Sequence, residues 1–330
     1  MVMAAGLGTR LRPFTEKTAK PLLPLMGVPM AQYAFDLLKK TSTEKVVANV
    51  HHLASASSQA LRFLDCPGKF EISDESGLLL GSAGGLAKAA PAFGGKPFYI
   101  LNADTLCNTH LTDLAKHHLY LKHLFSVRFT LLLFSKAPGT GSYLEIHFDE
   151  RRSLIRGLGE KRTGRRFYAG VAVMEPSALV GIDPTLPGEF LPKILEPAIR
   201  AGKAGAYLVD NSAEIENIRW FDIGSPELWH QTHLDWMRLY ETGELPTLWA
   251  ERMLKANRRL APQIWVSNRA PDNIDISKWR APAYWSPEGT DLEPPVRLSA
   301  RTVLYGKSPF SGINEAPPAG IGYRGLWKTL

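Results

Sequence analysis

The sequence predicts an α/β fold with a mixed, mostly parallel sheet flanked by helices. Strand and helix patterns alternate through the first 135 residues, which is typical of parallel sheets covered on both faces. Some strand segments are almost wholly apolar, such as "FYILNAD" at residues 98–104, as expected for strands buried on both faces. With 330 residues, 45% of them hydrophobic and 22% charged, the chain can form one large domain and an appendage.

The predicted elements follow in chain order. A buried strand at residues 2–5 leads into a glycine-rich loop, and apolar residues at helical spacing predict a helix at residues 30–40. The alternation then continues with a strand at 45–50, a helix at 53–64, a strand at 98–104, a helix at 110–120 and a strand at 128–135. Shorter segments of antiparallel type follow at 143–149, 167–174 and 205–210, with a helix at 188–201 and a last helix beginning near Pro226.

The last part of the chain has a different texture, which predicts a domain boundary between residues 243 and 244. Prolines interrupt any long element there, and "PQIWVSN", "APAYWS" and "RTVLYG" are short strand-like pieces at roughly even spacing. Residues 244–330 are therefore predicted to be a Pro- and Trp-rich, irregular or β-rich extension. Either a degenerate β-solenoid of few coils or an irregular wrap over the first domain agrees with this pattern.

Composition excludes several classes of protein. The longest apolar runs, such as residues 129–134, are strand-sized, so no membrane span is expected. The first five residues lack a basic leader, which favours the cytoplasm. The two cysteines show no C-x-x-C spacing, and the net charge of +7 comes without a basic run, so neither a zinc site nor nucleic acid binding is indicated.

The loop after the first strand, "GLGTRLRPFTEKTAKPLLP", has the features of a phosphate-binding site. Its spacing fits neither G-x-x-x-x-G-K-[ST] nor G-x-G-x-x-G, because Leu11 stands where the third glycine would be. Gly6 and Gly8 nevertheless let backbone N–H groups approach a phosphate without a Cβ in the way. Arg10 supplies a planar fork and Lys20 a point charge, so the pair can cover a triphosphate. A plain tight turn with a solvated basic face is the alternative.

Residues 3–15 and 19–24, "MAAGLGTRLRPFT" and "AKPLLP", resemble the signature of the sugar nucleotidyltransferases. One departure is Ala19, where that family usually has a proline. The resemblance implies a Rossmann-like nucleotide-diphospho-sugar transferase fold. It also implies an enzyme that joins a sugar 1-phosphate to a nucleoside triphosphate and releases pyrophosphate.

The resemblance implies a catalytic set of Arg10, Lys20, Asp104 and Asp222. Asp104 ends the strand "YILNAD", and Asp222 precedes a glycine turn in "RWFDIGSPEL". In the resembled family one aspartate from each of two such motifs holds Mg²⁺, which agrees with the preference of that cation for carboxylate oxygen. Taken singly, either aspartate could instead serve a turn or cap a helix.

Further site residues are implied on the nucleotide and acceptor sides. The nucleotide contacts implied by the resemblance are Ala5, Gly6, Gly8, Thr9, Glu75, Gly81 and Gly84. The last three lie in "DESGLLLGSAGGLAKAA", where a turn with close helix packing is the alternative. The implied sugar-phosphate contacts are Gly141, Glu160 and Lys161, of which the last two could equally form a surface ion pair.

The identity of the substrates is less well determined. The short tail resembles the N-acetylmuramate-1-phosphate uridylyltransferases and the small mannose-1-phosphate guanylyltransferases, and residues 72–86 favour the former. UTP and N-acetylmuramate 1-phosphate are therefore expected, with GTP and mannose 1-phosphate as the alternative. A non-catalytic regulatory paralogue and transfer to a non-sugar acceptor such as phosphocholine also remain open. Tails of this family often mediate dimers, which implies a possible homodimer through the extension.

Overall fold

The computed structural model describes residues 1–135, 143–162, 166–209, 218–287, 294–295, 297–306, 319–324 and 326–330. The chain forms two compact units. The first comprises Met1–Leu7 with Ala31–Phe221, and the second comprises Gly8–Met30 with Asp222–Leu330. The predicted boundary at residue 243 falls inside the second unit.

The strands and helices are numbered in chain order. The strands are β1 Val2–Met3, β2 Pro24–Leu25, β3 Val28–Pro29, β4 Lys45–Val50, β5 Lys69–Asp74, β6 Phe98–Asn102, β7 Thr105–Cys107, β8 Phe129–Phe134, β9 Tyr143–Asp149, β10 Leu154–Arg162, β11 Phe167–Met174, β12 Ala204–Val209, β13 Trp220–Asp222, β14 Asn257–Ala261, β15 Ile264–Ser267, β16 Ala283–Ser286, β17 Thr302–Tyr305, β18 Gly320–Tyr323 and β19 Leu326–Thr329. The α-helices are α1 Met30–Leu38, α2 Ala54–Arg62, α3 Gly81–Ala89, α4 Leu111–Phe125, α5 Glu196–Arg200, α6 Pro226–Glu241 and α7 Thr247–Ala256.

The first unit is built on a nine-stranded mixed sheet in the order β5-β4-β1-β6-β11-β8-β12-β10-β9. The pairs β5-β4, β4-β1, β1-β6 and β8-β12 are parallel, and the other neighbours in this order are antiparallel. Apolar residues of β6, β8 and β11 form the core together with side chains of α3 and α5. The predicted α/β class with a mixed sheet and flanking helices is confirmed.

In this nine-stranded sheet the sequence patterns did not predict β5 and β10, and the structure shows why. Strand β5 is at the edge of the sheet, and Ser73 is its only buried residue, so it lacks the alternation of a half-buried strand. Strand β10 contains Gly157 and Gly159, which weaken any strand signal, and its pairing with β9 shifts register. The predicted helix at 188–201 consists of a π-helical segment, Leu191–Leu195, followed by α5.

The second unit contains a six-stranded sheet in the order β14-β15-β16-β17-β18-β19, called here the C-terminal sheet. Its four inner strands are parallel and begin at residues 264, 283, 302 and 320, so successive strands stack in register as in a solenoid. One face of this sheet carries an apolar cluster that includes Val266, Trp285 and Leu304. Among the described residues, no helix has the length and apolar character needed to cross a bilayer.

Candidate active site

The first unit contains a cavity of about 600 Å³ at the end of the sheet where β1 and β6 stop. Ala5, Gly6, Gly81 and Asp104, all implied as site residues by the sequence, line it. The carboxyl ends of parallel strands are where open α/β sheets bind their ligands, because loops diverge there and leave a crevice.

A buried hydrogen-bond chain joins the elements around this cavity. The Ala4 N–H donates to Asn49 Oδ1 at 2.8 Å, and Asn49 Nδ2 donates to Glu75 Oε1 at 2.7 Å. The Leu80 N–H in turn donates to Glu75 Oε2 at 3.1 Å. Asn49 and Glu75 are 1% and 2% exposed, so the carboxylate is held almost wholly by protein donors. These hydrogen bonds fix the start of the glycine-rich loop relative to the segment that leads into α3.

Glu75 and Gly84 lie behind the cavity and are not among the residues that line it. A Cβ on Gly84 would lie 2.6 Å from the Leu186 carbonyl oxygen, so this glycine allows α3 to pack closely on residues 186–188. Gly81 has a left-handed φ of 67° and does line the cavity. The base contact predicted for Glu75, Gly81 and Gly84 remains a prediction. Glu75 and Gly84 lie behind the residues that line the cavity.

The rim beside Gly81 carries a carboxylate that the sequence did not indicate. Ser82 Oγ donates to Glu189 Oε2 at 2.6 Å and accepts the Phe190 N–H at 2.7 Å. Glu189, Ser82 and Phe190 all line the cavity. No motif marks Glu189, because its partner Ser82 is 107 residues away in the chain.

Asp104 lies in the turn between β6 and β7 and faces the cavity. The Ala103 N–H donates to the Met3 carbonyl at 3.1 Å, which places this turn beside the start of the glycine loop. Asn102, two residues earlier, also lines the cavity and lies against Gly170, whose φ is 77°. The sequence did not single out Asn102 or Asn49, although a lone amide in an apolar strand such as "KVVANV" is a usable signal.

The remaining wall of the cavity is mostly apolar and aromatic. Its side chains come from β6, β9, β11 and the segment that leads into α5, and they include Ile100, Tyr143, Ile146, Tyr168 and Phe190. Burial holds the pKa of Tyr168 well above its ordinary value, so this hydroxyl stays protonated. Such a wall offers surface for apolar groups and stacking faces for a sugar ring.

The predicted acceptor residues that the structure describes lie outside the lining of the cavity. Glu160 and Lys161 are exposed on β10, and neither lines the cavity. Lys161 pairs across the strands with Leu144, which does line it. Gly141, the third predicted acceptor residue, lies outside the described residues.

Residues 4–27 carry the signature and are called here the signature loop. The part of it in the second unit folds tightly around Gly8. Gly8 has a left-handed φ of 63°, and its carbonyl accepts the Thr15 hydroxyl at 2.8 Å. A Cβ at this position would lie 2.9 Å from Thr15 Cγ2 and 3.2 Å from Lys20 Cβ. Lys20 is only 8% exposed, so most of its side chain is packed against the protein. Thr9, the next predicted nucleotide contact, is exposed at the start of a short 3₁₀ turn.

Arg10 and Asp222 approach each other over Gly224 in the same unit. A Cβ on Gly224 would lie 2.9 Å from Arg10 Nη2 and 3.0 Å from Asp222 Oδ2, so a side chain there would displace one of them. The following helix α6 is capped by Ser225, whose Oγ accepts the Leu228 N–H at 3.3 Å. Asp222 is thus not the cap of this helix, which was one of its two alternative roles.

The residues that could hold a metal ion are few. Within the described part of the chain, no group of three or more His, Cys, Asp or Glu side chains is arranged to bind one. Magnesium is commonly held by one or two protein carboxylates together with substrate phosphates and water, so Asp104 and Asp222 fit its chemistry. Burial raises the pKa of Cys66 to about 11 and that of Cys107 to about 12, so neither thiol is a ready ligand.

Comparisons with known proteins identify the family of the chain. The family model described as nucleotidyl transferase matches residues 1–237. A UTP--glucose-1-phosphate uridylyltransferase from Synechocystis sp. is 25% identical over 69% of this chain and 61% of its own length. The match therefore spans less than two thirds of that relative.

Other relatives have different substrates in their names. An N-acetylmuramate alpha-1-phosphate uridylyltransferase from Neisseria meningitidis is 27% identical over 68% of this chain and 92% of its own length. Mannose-1-phosphate guanylyltransferase 1 from Arabidopsis thaliana is 26% identical over 73% of this chain and 64% of its own length. The crystal structure of HddC from Yersinia pseudotuberculosis shares the fold, with a TM-score of 0.57 at 17% identity over 70% of this chain and 96% of that one.

Proposed function

Since the chain belongs to the nucleotidyl transferase family, we propose that it couples a nucleoside triphosphate to a sugar 1-phosphate, giving a nucleoside diphosphate sugar and pyrophosphate. The observation that carries this proposal is the cavity at the carboxyl ends of β1 and β6. It is bordered by the signature residues Ala5 and Gly6 and by Asp104, and it is large enough for a nucleotide sugar.

The proposed reaction is an in-line displacement at the α-phosphorus. An oxygen of the acceptor phosphate forms a bond to that phosphorus, the bond to the bridging oxygen of the β-phosphate breaks, and pyrophosphate leaves. The attacking oxygen is already an anion, so no general base is needed, and catalysis depends on positioning and charge neutralisation. We assign Arg10 to the β- and γ-phosphates and Lys20 to the charge that develops at the α-phosphate.

Asp104 and Asp222 would hold Mg²⁺. The ion would supply charge neutralisation on the phosphates, which two aspartates could not provide themselves. The low exposure of Lys20 supports its role, because a side chain packed on most of its surface holds its charge in a defined place.

The backbone of Ala5, Gly6, Gly8, Thr9 and Gly81 would contact the nucleotide. We propose that Glu75 and Gly84 act from behind, by holding the walls of the cavity. Gly141, Glu160 and Lys161 stay the proposed contacts of the acceptor.

We propose UTP and N-acetylmuramate 1-phosphate as the substrates. The uridylyltransferase named above supports this pair, and so does the apolar wall, because the acetyl and lactyl groups of N-acetylmuramate have apolar surface to bury. The alternative pair is GTP and mannose 1-phosphate, supported by the guanylyltransferase relative. Nucleoside triphosphates are cytoplasmic metabolites, so the proposed activity implies that compartment. A homodimer through residues 244–330 is a further proposal, which light scattering on the full chain would test.

The test is to incubate the protein with each nucleoside triphosphate and a panel of phosphorylated acceptors that includes phosphocholine, with pyrophosphate as the readout. Lys20→Ala and Asp104→Asn should abolish release. The matched variants Lys40→Ala, at an exposed lysine, and Asp113→Asn, at a half-exposed aspartate, should retain it. Turnover by both site variants would contradict the assigned roles. Failure of every substrate pair would favour the non-catalytic alternative.

A further inference from the structure

Three tyrosines form a row on one face of the C-terminal sheet. Tyr284, Tyr305 and Tyr323 lie on the successive parallel strands β16, β17 and β18. The ring centroids of Tyr284 and Tyr305 are 5.2 Å apart, and those of Tyr305 and Tyr323 are 5.9 Å apart. All three rings are at least 92% buried, with exposures of 0%, 5% and 8%. A buried tyrosine needs a partner for its hydroxyl, so the question is what the row holds.

Two of these hydroxyls reach the segment of the signature loop that bears Lys20, residues 17–27. Tyr305 Oη accepts the Gly27 N–H at 3.2 Å. Tyr323 Oη shares a hydrogen bond of 3.3 Å with the hydroxyl of Thr18, which is 8% exposed. Lys20 thus lies between two anchor points that are provided by residues about 280 to 305 positions further along the chain.

The third hydroxyl acts on the same segment through an asparagine. Tyr284 O–H donates to Asn257 Oδ1 at 3.0 Å, and Asn257 Nδ2 donates to the Met26 carbonyl at 2.7 Å. Asn257 is 2% exposed, so its amide is fully committed to these contacts and to the Met253 carbonyl. Met26 has a left-handed φ of 45°, a conformation that a non-glycine residue keeps only when its surroundings hold it.

His233 of α6 orients the central tyrosine. It is completely buried, and burial lowers its pKa to about 3, so the ring is neutral. Its Nδ1 lies 2.8 Å from the Trp229 carbonyl, which can only accept, so Nδ1 carries the proton. Nε2 is then an acceptor and takes the Tyr305 O–H at 2.7 Å. The lone pairs of the Tyr305 oxygen are left for the Gly27 N–H.

The middle of the segment is held by the same helix. Trp229 Nε1–H donates to the Pro24 carbonyl at 2.8 Å, and the indole is fully buried. Its ring stacks on Tyr305 with centroids 6.2 Å apart and makes a T-shaped contact with Phe14, with centroids 5.3 Å apart. The segment is therefore fixed near its start, middle and end by one connected set of side chains.

We propose that Tyr305 and Tyr323 are positioning residues that hold Lys20 in its active place through residues 18 and 27, and that the C-terminal sheet is thereby part of the active-site support. The proposal rests on the role assigned to Lys20 in the proposed function. It predicts that losing a hydroxyl in the row lowers the rate of the chemical step while substrate binding changes little.

The test uses Tyr305→Phe and Tyr323→Phe in the full chain, with Tyr240→Phe as the matched control. Tyr240 lies on α6, and its ring packs edge-on against Trp265 at 4.9 Å. Tyr323→Phe removes the hydrogen bond to Thr18, and Tyr305→Phe removes those to Gly27 and His233. In each variant kcat should therefore fall about fivefold or more, with the KM of both substrates within about twofold of wild type. The control should keep the wild-type kcat.

A second readout does not depend on activity. Amide hydrogen exchange of residues 18–27 should become about tenfold faster in Tyr305→Phe and stay unchanged in Tyr240→Phe. If wild type turns over no substrate pair, the proposed function fails, and exchange alone decides the positioning proposal. Unchanged exchange in the row variants would overturn it. The proposal would also be overturned if kcat fell in proportion to the thermal midpoint in Tyr305→Phe, Tyr323→Phe and the control Tyr240→Phe alike.

Discussion

The substitution Asn49→Asp is a sharp test of the buried hydrogen-bond chain at the cavity. Aspartate has the size of asparagine and keeps the oxygen that accepts the Ala4 N–H. It replaces the amide nitrogen, however, by a second carboxylate oxygen 2.7 Å from Glu75 Oε1 if the geometry is retained. Both positions are at most 2% exposed, so water cannot screen the pair.

Two carboxylates at this distance cannot both be ionised inside the fold. One of them must take up a proton, so the pKa of the pair in the folded variant rises above that of the unfolded chain. The folded state then binds more protons than the unfolded state, and stability falls as the pH rises from about 4 to the raised pKa. Above that pKa the full cost of a buried, uncompensated charge applies, about 3–5 kcal/mol. At low pH the shared proton restores a hydrogen bond.

The measurement is thermal or urea unfolding of wild type and Asn49→Asp at several pH values between 5 and 8.5. The control is Asn268→Asp, because Asn268 is exposed and its amide donates to the Lys255 carbonyl rather than to a carboxylate. We expect a large loss of stability at pH 8 that shrinks toward pH 5 in Asn49→Asp only. Equal losses at both ends of the range, or none at pH 8, would refute the reasoning.

Three further changes test other parts of the structure. Gly6→Ala should leave the thermal midpoint unchanged, because no atom lies within 4 Å of the added methyl, and should raise the KM for the nucleotide about tenfold if this backbone faces it. Gly224→Ala should displace Arg10 or Asp222 and lower kcat/KM about 100-fold at nearly unchanged stability, as measured by pyrophosphate release and calorimetry. A chain ended at residue 243 should lose cooperative melting of the second unit, because it exposes the buried indole of Trp229, and circular dichroism would show this.

The strands that the sequence predicted best are those buried on both faces. An apolar run such as β8 or β6 has few alternatives to a central strand, so periodicity identifies it. Strand β5 is at the edge of the sheet and is mostly not buried, so it has no apolar run by which to identify it. The parallel stacking of β15 to β18 was only one of two readings, since short strands interrupted by prolines do not reveal which neighbours they pair with.

The active-site residues divide in the same way. The family resemblance pointed to Ala5 and Gly6 in the signature and to Asp104 at the end of the strand "YILNAD", and all three line the cavity. Close backbone approach and metal ligation demand particular residue types, which is why a motif can mark them. Residues that support the site carry no such local mark. Asn49 and Glu75 are ordinary polar residues until the fold brings them within 2.7 Å of each other, and their spacing of 26 residues matches no motif.

The signature loop is held at both ends by side chains that lie outside the signature. At its start the Ala4 N–H is bound by Asn49, and near its end the Gly27 N–H is bound by Tyr305. Glycines allow a close backbone approach to a ligand and also give the loop freedom to move. Under the proposed function we therefore expect the rate of reaction to depend on anchors that remove that freedom. An intact signature is therefore necessary but insufficient evidence of catalysis. In a paralogue that kept Lys20 and lost the Tyr305 and Asn49 contacts, we expect a poorly ordered loop and a slow reaction. The two contacts are therefore the features by which we expect to distinguish catalytic from non-catalytic chains of this type.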